Sequence, residues 1–201
     1  MSPVPGTALL ERLRCETADA HLRLESGLDL TGDSIDHARY VALLAAFHGF
    51  LEPWEALLRA ALPPDERAFF DDRQHAPRAW NDLGIVATAT CPTPAVRLAH
   101  VADLPVLESA AAAWGSAYVI EGSTLGGRFI SAAINKRLGY TPTSGGSYFA
   151  GYGAENGRRW NEFRQALETY VSPASHDRAV QAAHDTFESL HRWMVHRAVV
   201  T

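Results

Sequence analysis

Apolar residues at Leu9, Leu13, Ala20, Leu24 and Leu28 recur at the steps of a single helical stripe and predict an amphipathic helix over residues 7–30. Thr31-Gly-Asp-Ser34 is turn chemistry. Ser34 or Asp36 can then cap a second helix that carries Tyr40, Leu43, Leu44, Phe47 and Leu51 inward and ends at Pro63-Pro64 at the latest. Short helices are predicted at 65–73 and 77–84, followed by a loop holding Pro92 and Pro94. Alanine-rich helical composition covers 94–102 and 105–138; the second stretch should be the longest helix, stopped by Gly139 and Pro142. A Gly/Ser-rich loop over 141–153 leads to two last helices, near 155–171 and 175–199. Neither strand alternation nor an internal repeat is visible, so the predicted fold class is all-α, a helical bundle.

Composition narrows the function. With 201 residues, 47% hydrophobic and 20% charged, the chain is sized for one domain over 1–201. The most apolar stretch, Val41 to Leu51, is short and contains His48 and Gly49, so no membrane span is expected. The start, Met-Ser-Pro-Val-Pro-Gly, has no basic or apolar leader region, which predicts a cytoplasmic protein. A formal net charge of −5 argues against a nucleic-acid binder. Cys15 and Cys91 fall in no metal or redox spacing.

The predicted 105–138 helix contains Gly115, Gly122, Gly126 and Gly127, each costing roughly 1 kcal/mol relative to alanine in a helix interior. Gly122 and Gly126 lie one turn apart, and Gly127 beside them widens a side-chain-free surface. A flat ligand lying on bare backbone accounts for this surface; so does a close contact with another helix. His21 stands on the inward stripe of the first helix, with Thr17 and Leu24 one turn away and Glu25 at i+4. Such a histidine is either a hydrogen-bonded core residue or a metal ligand. As a ligand, one ring nitrogen binds while the other donates to a carboxylate such as Glu25.

Two motifs carry a resemblance to a known family. Leu13-Arg-Cys-Glu-Thr-Ala-Asp-Ala-His21-Leu-Arg-Leu-Glu25 resembles the proximal helix of the haem oxygenases. Tyr118-Val-Ile-Glu-Gly-Ser-Thr-Leu-Gly-Gly-Arg128 resembles their distal helix. The likeness is strongest to the bacterial, biliverdin-forming branch often paired with bacteriophytochromes. Weaker similarities at Trp80-Asn-Asp-Leu83, Arg159-Trp-Asn-Glu-Phe163 and Thr186 to Trp193 follow in the expected order.

The resemblance implies haem b sandwiched between a proximal helix and a glycine-kinked distal helix. It also implies His21 as axial iron ligand, Glu25 as its hydrogen-bonding partner and Arg14 facing a propionate. Gly122, Gly126 and Gly127 would lie against the haem face. Many members carry an aspartate directly after the first distal glycine; here the residue is Ser123, which supplies a hydroxyl but no charge. Arg158 and Arg159 fall where the family often faces propionates, and Arg128 can face the haem edge or water. The implied reaction uses O2 and an external electron donor, ferredoxin or another reductase, to give biliverdin, carbon monoxide and iron. A bacteriophytochrome is the implied recipient of the pigment.

Rival readings remain in view. His184, Glu188 and His191 include the Glu-x-x-His spacing of di-iron bundles, but no second copy occurs. A non-catalytic tetrapyrrole carrier would share every haem-binding feature. A thiaminase-like enzyme would need a pocket cysteine, for which only Cys15 and Cys91 are available.

Overall fold

The computed structural model describes residues 5–32, 35–88 and 95–199, and among these no strand occurs. The first predicted helix is interrupted at Thr17 (φ −105°, ψ 3°), giving α1 (Pro5–Glu16) and α2 (Ala18–Leu28). The Thr17 hydroxyl donates to the Leu13 carbonyl at 2.6 Å, and a threonine bonded back to the i−4 carbonyl bends a helix. Leu9, Leu13, Leu24 and Leu28 are buried, as their spacing predicts.

The second helix, α3 (His37–Ala61), is capped by Asp36, whose carboxylate accepts from the Arg39 N–H at 2.7 Å. Ser34, the alternative cap, lies outside the described residues, as do Cys91, Pro92 and Pro94. At 25 residues α3 is the longest described helix. It passes a length-and-composition test for a membrane span, with mean hydropathy 1.3, yet 67% of that window is buried inside the bundle, as in a core helix. Short α4 (Pro64–Arg67) and α5 (Ala76–Val86) follow, α5 packing along α3.

Residues 95–100 are irregular rather than helical, and Pro105 to Glu108 also lie outside any helix. The reason is tertiary. Ala99 N–H donates to the Gly49 carbonyl at 2.8 Å, and a side chain at Gly49 would strike the Arg97 carbonyl oxygen at 2.2 Å. The segment is therefore laid against α3 and cannot curl on itself.

Helix α6 (Ala110–Ser123) starts instead at Ser109, which caps the Ala112 N–H. It ends in a 3-10 turn, Thr124–Gly126, before α7 (Gly127–Leu138). The hydroxyls of Ser123 and Thr124 donate to the carbonyls three residues back, Ile120 and Glu121, both at 2.7 Å. This local bonding accompanies the tightening and re-aims the chain without a proline. After α8 (Ser147–Ala150), α9 (Asn156–Tyr170) and α10 (His176–His196) complete the fold. Helices α6 and α10 pack so closely that a Cβ at Gly115 would sit 1.9 Å from the Ala179 carbonyl oxygen, so that glycine is a packing requirement. One hydrophobic cluster runs through all the long helices.

Candidate functional site

A cleft of about 360 Å³ lies between α1/α2 on one side and α6, its 3-10 turn and α7 on the other, within the usual range for a small-molecule site. His21, Glu25 and Arg14 line the first wall. The His21 ring packs at a tilt on Phe187, 5.5 Å between centroids. Its Nε2 is 3.8 Å from the Glu25 carboxylate, and the imidazole is 54% exposed. A histidine opening onto a cleft rather than sealed in the core fits ligation better than packing. Arg14 is the one arginine along the described lining. Burial pushes the Tyr118 phenol up, and the nearby Arg14 charge partly opposes that shift.

The second wall carries Tyr118, Gly122, Ser123 and Gly126, with Trp160 beside them. The glycines divide by function. A Cβ at Gly122 would meet only the Trp160 ring at 3.7 Å, and one at Gly126 only Ile130 at 3.8 Å. These are ordinary contacts, so the fold does not need glycine at either place. Gly127 differs. A Cβ there would approach the Phe149 carbonyl oxygen to 2.5 Å, so Gly127 serves α7–α8 packing and lies outside the cleft lining.

The two arginines expected near an anionic ligand are placed elsewhere. Arg158 pairs along its own helix with Glu155 and Glu162. Arg159 pairs with Asp72 at 2.6 Å and lies over the Tyr152 ring. Neither lines the cleft. Arg128 covers the Phe129 ring. Glu188, from the histidine-rich face of α10, pairs with Arg23, and among the described residues no group of three or more His, Cys, Asp or Glu is placed to hold a metal ion. Cys15 is exposed.

Behind the glycine-bearing wall lies a buried polar network that sequence reasoning missed. The Glu121 carboxylate accepts from Arg73 (2.5 Å) and Tyr152 (2.7 Å) and bonds with His75 Nε2 (3.2 Å). Arg73 also reaches Glu162 at 3.0 Å and the Arg159 carbonyl at 3.3 Å. Burial alone would raise the Glu121 carboxyl, but the His75 hydrogen bond and the His75 and Arg73 charges outweigh it and hold it low. Glu55, beyond His75, accepts the backbone N–H groups of His75 and Ala76 (2.5 and 2.9 Å), and there burial prevails and raises the carboxyl. Glu121 directly precedes Gly122, so this network anchors the backbone at the cleft's far wall. His75 itself reaches the lining. One sequence signal was available: Glu121 is the sole charge in the apolar helix Ala110–Ser123 and therefore needed a buried partner.

The structure is thus an all-helical bundle holding an apolar cleft between a histidine-bearing helix and a broken, glycine-marked helix. The chain belongs to the haem oxygenase family, whose model matches residues 87–196, more than half of the sequence. It is similar to a haem oxygenase of Xanthomonas campestris pv. campestris (strain 8004), with 28% identity over 158 residues, covering 78% of this chain and 89% of the relative.

Proposed function

We propose that the cleft takes haem b as both cofactor and substrate, that His21 would hold its iron, and that the chain cleaves it to biliverdin, carbon monoxide and iron. The observation that carries this reading is the pairing across one apolar cleft of a solvent-open histidine with Gly122 and Gly126, glycines the fold does not require. Bound haem supplies the oxygen-activating chemistry; the chain's residues position it. His21 offers a neutral nitrogen rather than a thiolate, without the electron push that favours O–O cleavage. Glu25 can accept its other ring proton and fix the tautomer. Arg14 supplies a cation for a propionate. Ser123 faces the cleft, but its hydroxyl is bonded to the Ile120 carbonyl, so no carboxylate acts at that position. O2 and electrons from a separate donor, ferredoxin or another reductase, complete the reaction. A bacteriophytochrome as recipient follows from the same resemblance.

The test is an optical titration with hemin for wild type and His21→Ala, followed by ascorbate under air. A Soret band that depends on His21 and decays into the broad red absorbance of biliverdin is the expected result. A stable band that never converts supports the carrier reading, which Ser123 in place of an acid favours. No specific band overturns the haem assignment.

A further inference from the structure

The cleft is joined to the protein surface by a column of aromatic rings. Tyr118 and Trp160, both lining the cleft, lie 5.8 Å apart between ring centroids. Trp160 stacks on Phe163 (5.6 Å, 17°), Phe163 contacts Trp114 (5.6 Å), and Trp114 stacks on Tyr170 (5.2 Å, 12°). Phe163 and Trp114 are fully buried, whereas Tyr170 is 40% exposed, the most exposed tyrosine among the described residues. The Trp114 indole N–H donates to the carboxylate of Glu66, itself 8% exposed.

We propose that Trp160, Trp114 and Tyr170 form a redox relay that drains oxidising equivalents from the haem cleft to the surface. The proposal rests on the haem reading above. A ring cluster alone is ordinary core packing, but the buried partner of the central indole N–H is a carboxylate, where a neutral hydroxyl and a carbonyl serve Trp54 and Trp193, and burying a carboxylate is costly. A proton acceptor at the indole nitrogen is what loss of an electron from that ring requires. Neutral indole and phenol rings yield electrons only to strong oxidants and take none from biological reductants. The column therefore carries oxidising equivalents outward, not reducing electrons inward.

The steps balance with hydrogen peroxide as oxidant and ascorbate or a thiol as reductant. On the side path in which the O–O bond of peroxide breaks before the macrocycle is attacked, peroxide leaves the haem cleft short of two electrons and releases one water. Trp160 passes one electron to the cleft, and Trp114 refills Trp160 across Phe163 as its indole proton moves to Glu66. Tyr170 then refills Trp114, Glu66 returns the proton to the indole, and the phenolic proton leaves to solvent. The Tyr170 phenoxyl takes a hydrogen atom from the reductant. Two passes bring two electrons to the cleft, and two protons taken up there from solvent, equal in number to those the phenol released, complete the second peroxide oxygen, which leaves as water.

Hemin-loaded protein is treated with hydrogen peroxide without reductant, then analysed for dityrosine-linked dimers on denaturing gels and for the modified tyrosine by peptide mass spectrometry. Loading is checked beforehand by the Soret band. Wild type is expected to cross-link through Tyr170, with ascorbate suppressing the product. Tyr170→Phe should lose the cross-link, and Trp114→Phe and Trp160→Phe should lower it towards that level while bleaching the haem faster. If Trp114→Phe fails to fold, Trp160→Phe and Tyr170→Phe carry the test. Unchanged Tyr170 coupling in loaded Trp114→Phe or Trp160→Phe protein, or coupling at another tyrosine in wild type, overturns the relay. An absent Soret band instead overturns the haem reading and the relay with it.

Discussion

The two walls of the cleft are built by different physics. The His21 wall, α1 and α2, is broken at Thr17 and tied to α10 by exposed ion pairs, Arg12 with Asp177 at 2.8 Å and Arg23 with Glu188. The glycine wall is held from behind by charges sealed in the core, with the Arg73 and Glu121 side chains 2% and 4% exposed. Exposed pairs contribute little and are screened by salt. A buried pair contributes little net energy as a unit, but is severely destabilising when half of it is removed. Both walls are seated on the apolar core, the first through Leu9, Leu13, Leu24 and Leu28, but only the second adds a buried charge network.

Substitutions can break or sharpen this contrast. Glu121→Ala leaves Arg73 buried with only the half-exposed Glu162 as carboxylate partner, and urea denaturation should register a loss of about 3–5 kcal/mol. Gly115→Ala should cost roughly 1–3 kcal/mol by overpacking against the Ala179 carbonyl. The same change at Gly122 should fold at least as well as wild type, because the methyl meets only ordinary contact and alanine favours helix by roughly 1 kcal/mol. If both behave alike in thermal melts, the division of the glycines fails. On the opposite wall Arg23→Gln should cost less than about 1 kcal/mol in the same denaturation, and the difference should vanish in high salt.

The smallest effect is confined to acid. Glu121 titrates below its ordinary 4.5 in the folded protein, so its ionised form stabilises the fold above that value, and the contribution is lost as pH falls through the folded pKa. Glu55, raised in the fold, has the opposite sign: its contribution is present at low pH and declines as pH rises through the folded value. Stability measured against pH should therefore fall less steeply below 4.5 in Glu121→Gln than in wild type. A steeper fall would reverse the assignment.

The amphipathic periods were legible because they are local: the stripe through Leu9 and Leu28, the Asp36 cap, and the helices ending near Tyr170 and His196 all follow from residues within a few turns of one another. His21, Glu25, Gly122 and Gly126 were legible from helical spacing, whereas Arg14 and Ser123 were singled out only through the resemblance; all six line the cleft. Residues 95–100 were not legible, because alanine-rich composition is overruled there by docking on Gly49. The Arg73, His75, Glu121 and Tyr152 network was invisible as a set, because Glu121 meets its three partners across separations of 31 to 48 positions. Arg158 and Arg159 were expected near an anionic ligand only from the resemblance, and nearer carboxylates at Glu155, Glu162 and Asp72 hold them.

Gly115 has a reach beyond its own contact. Helix α10, pressed against it, carries Phe187 and Leu190 to the cleft, and Phe187 bears on the His21 ring. Helix α6 carries Tyr118 and Gly122 to the same space. A single added carbon at position 115 would have to drive α6 and α10 apart, and would move with them residues of both cleft walls that it does not touch.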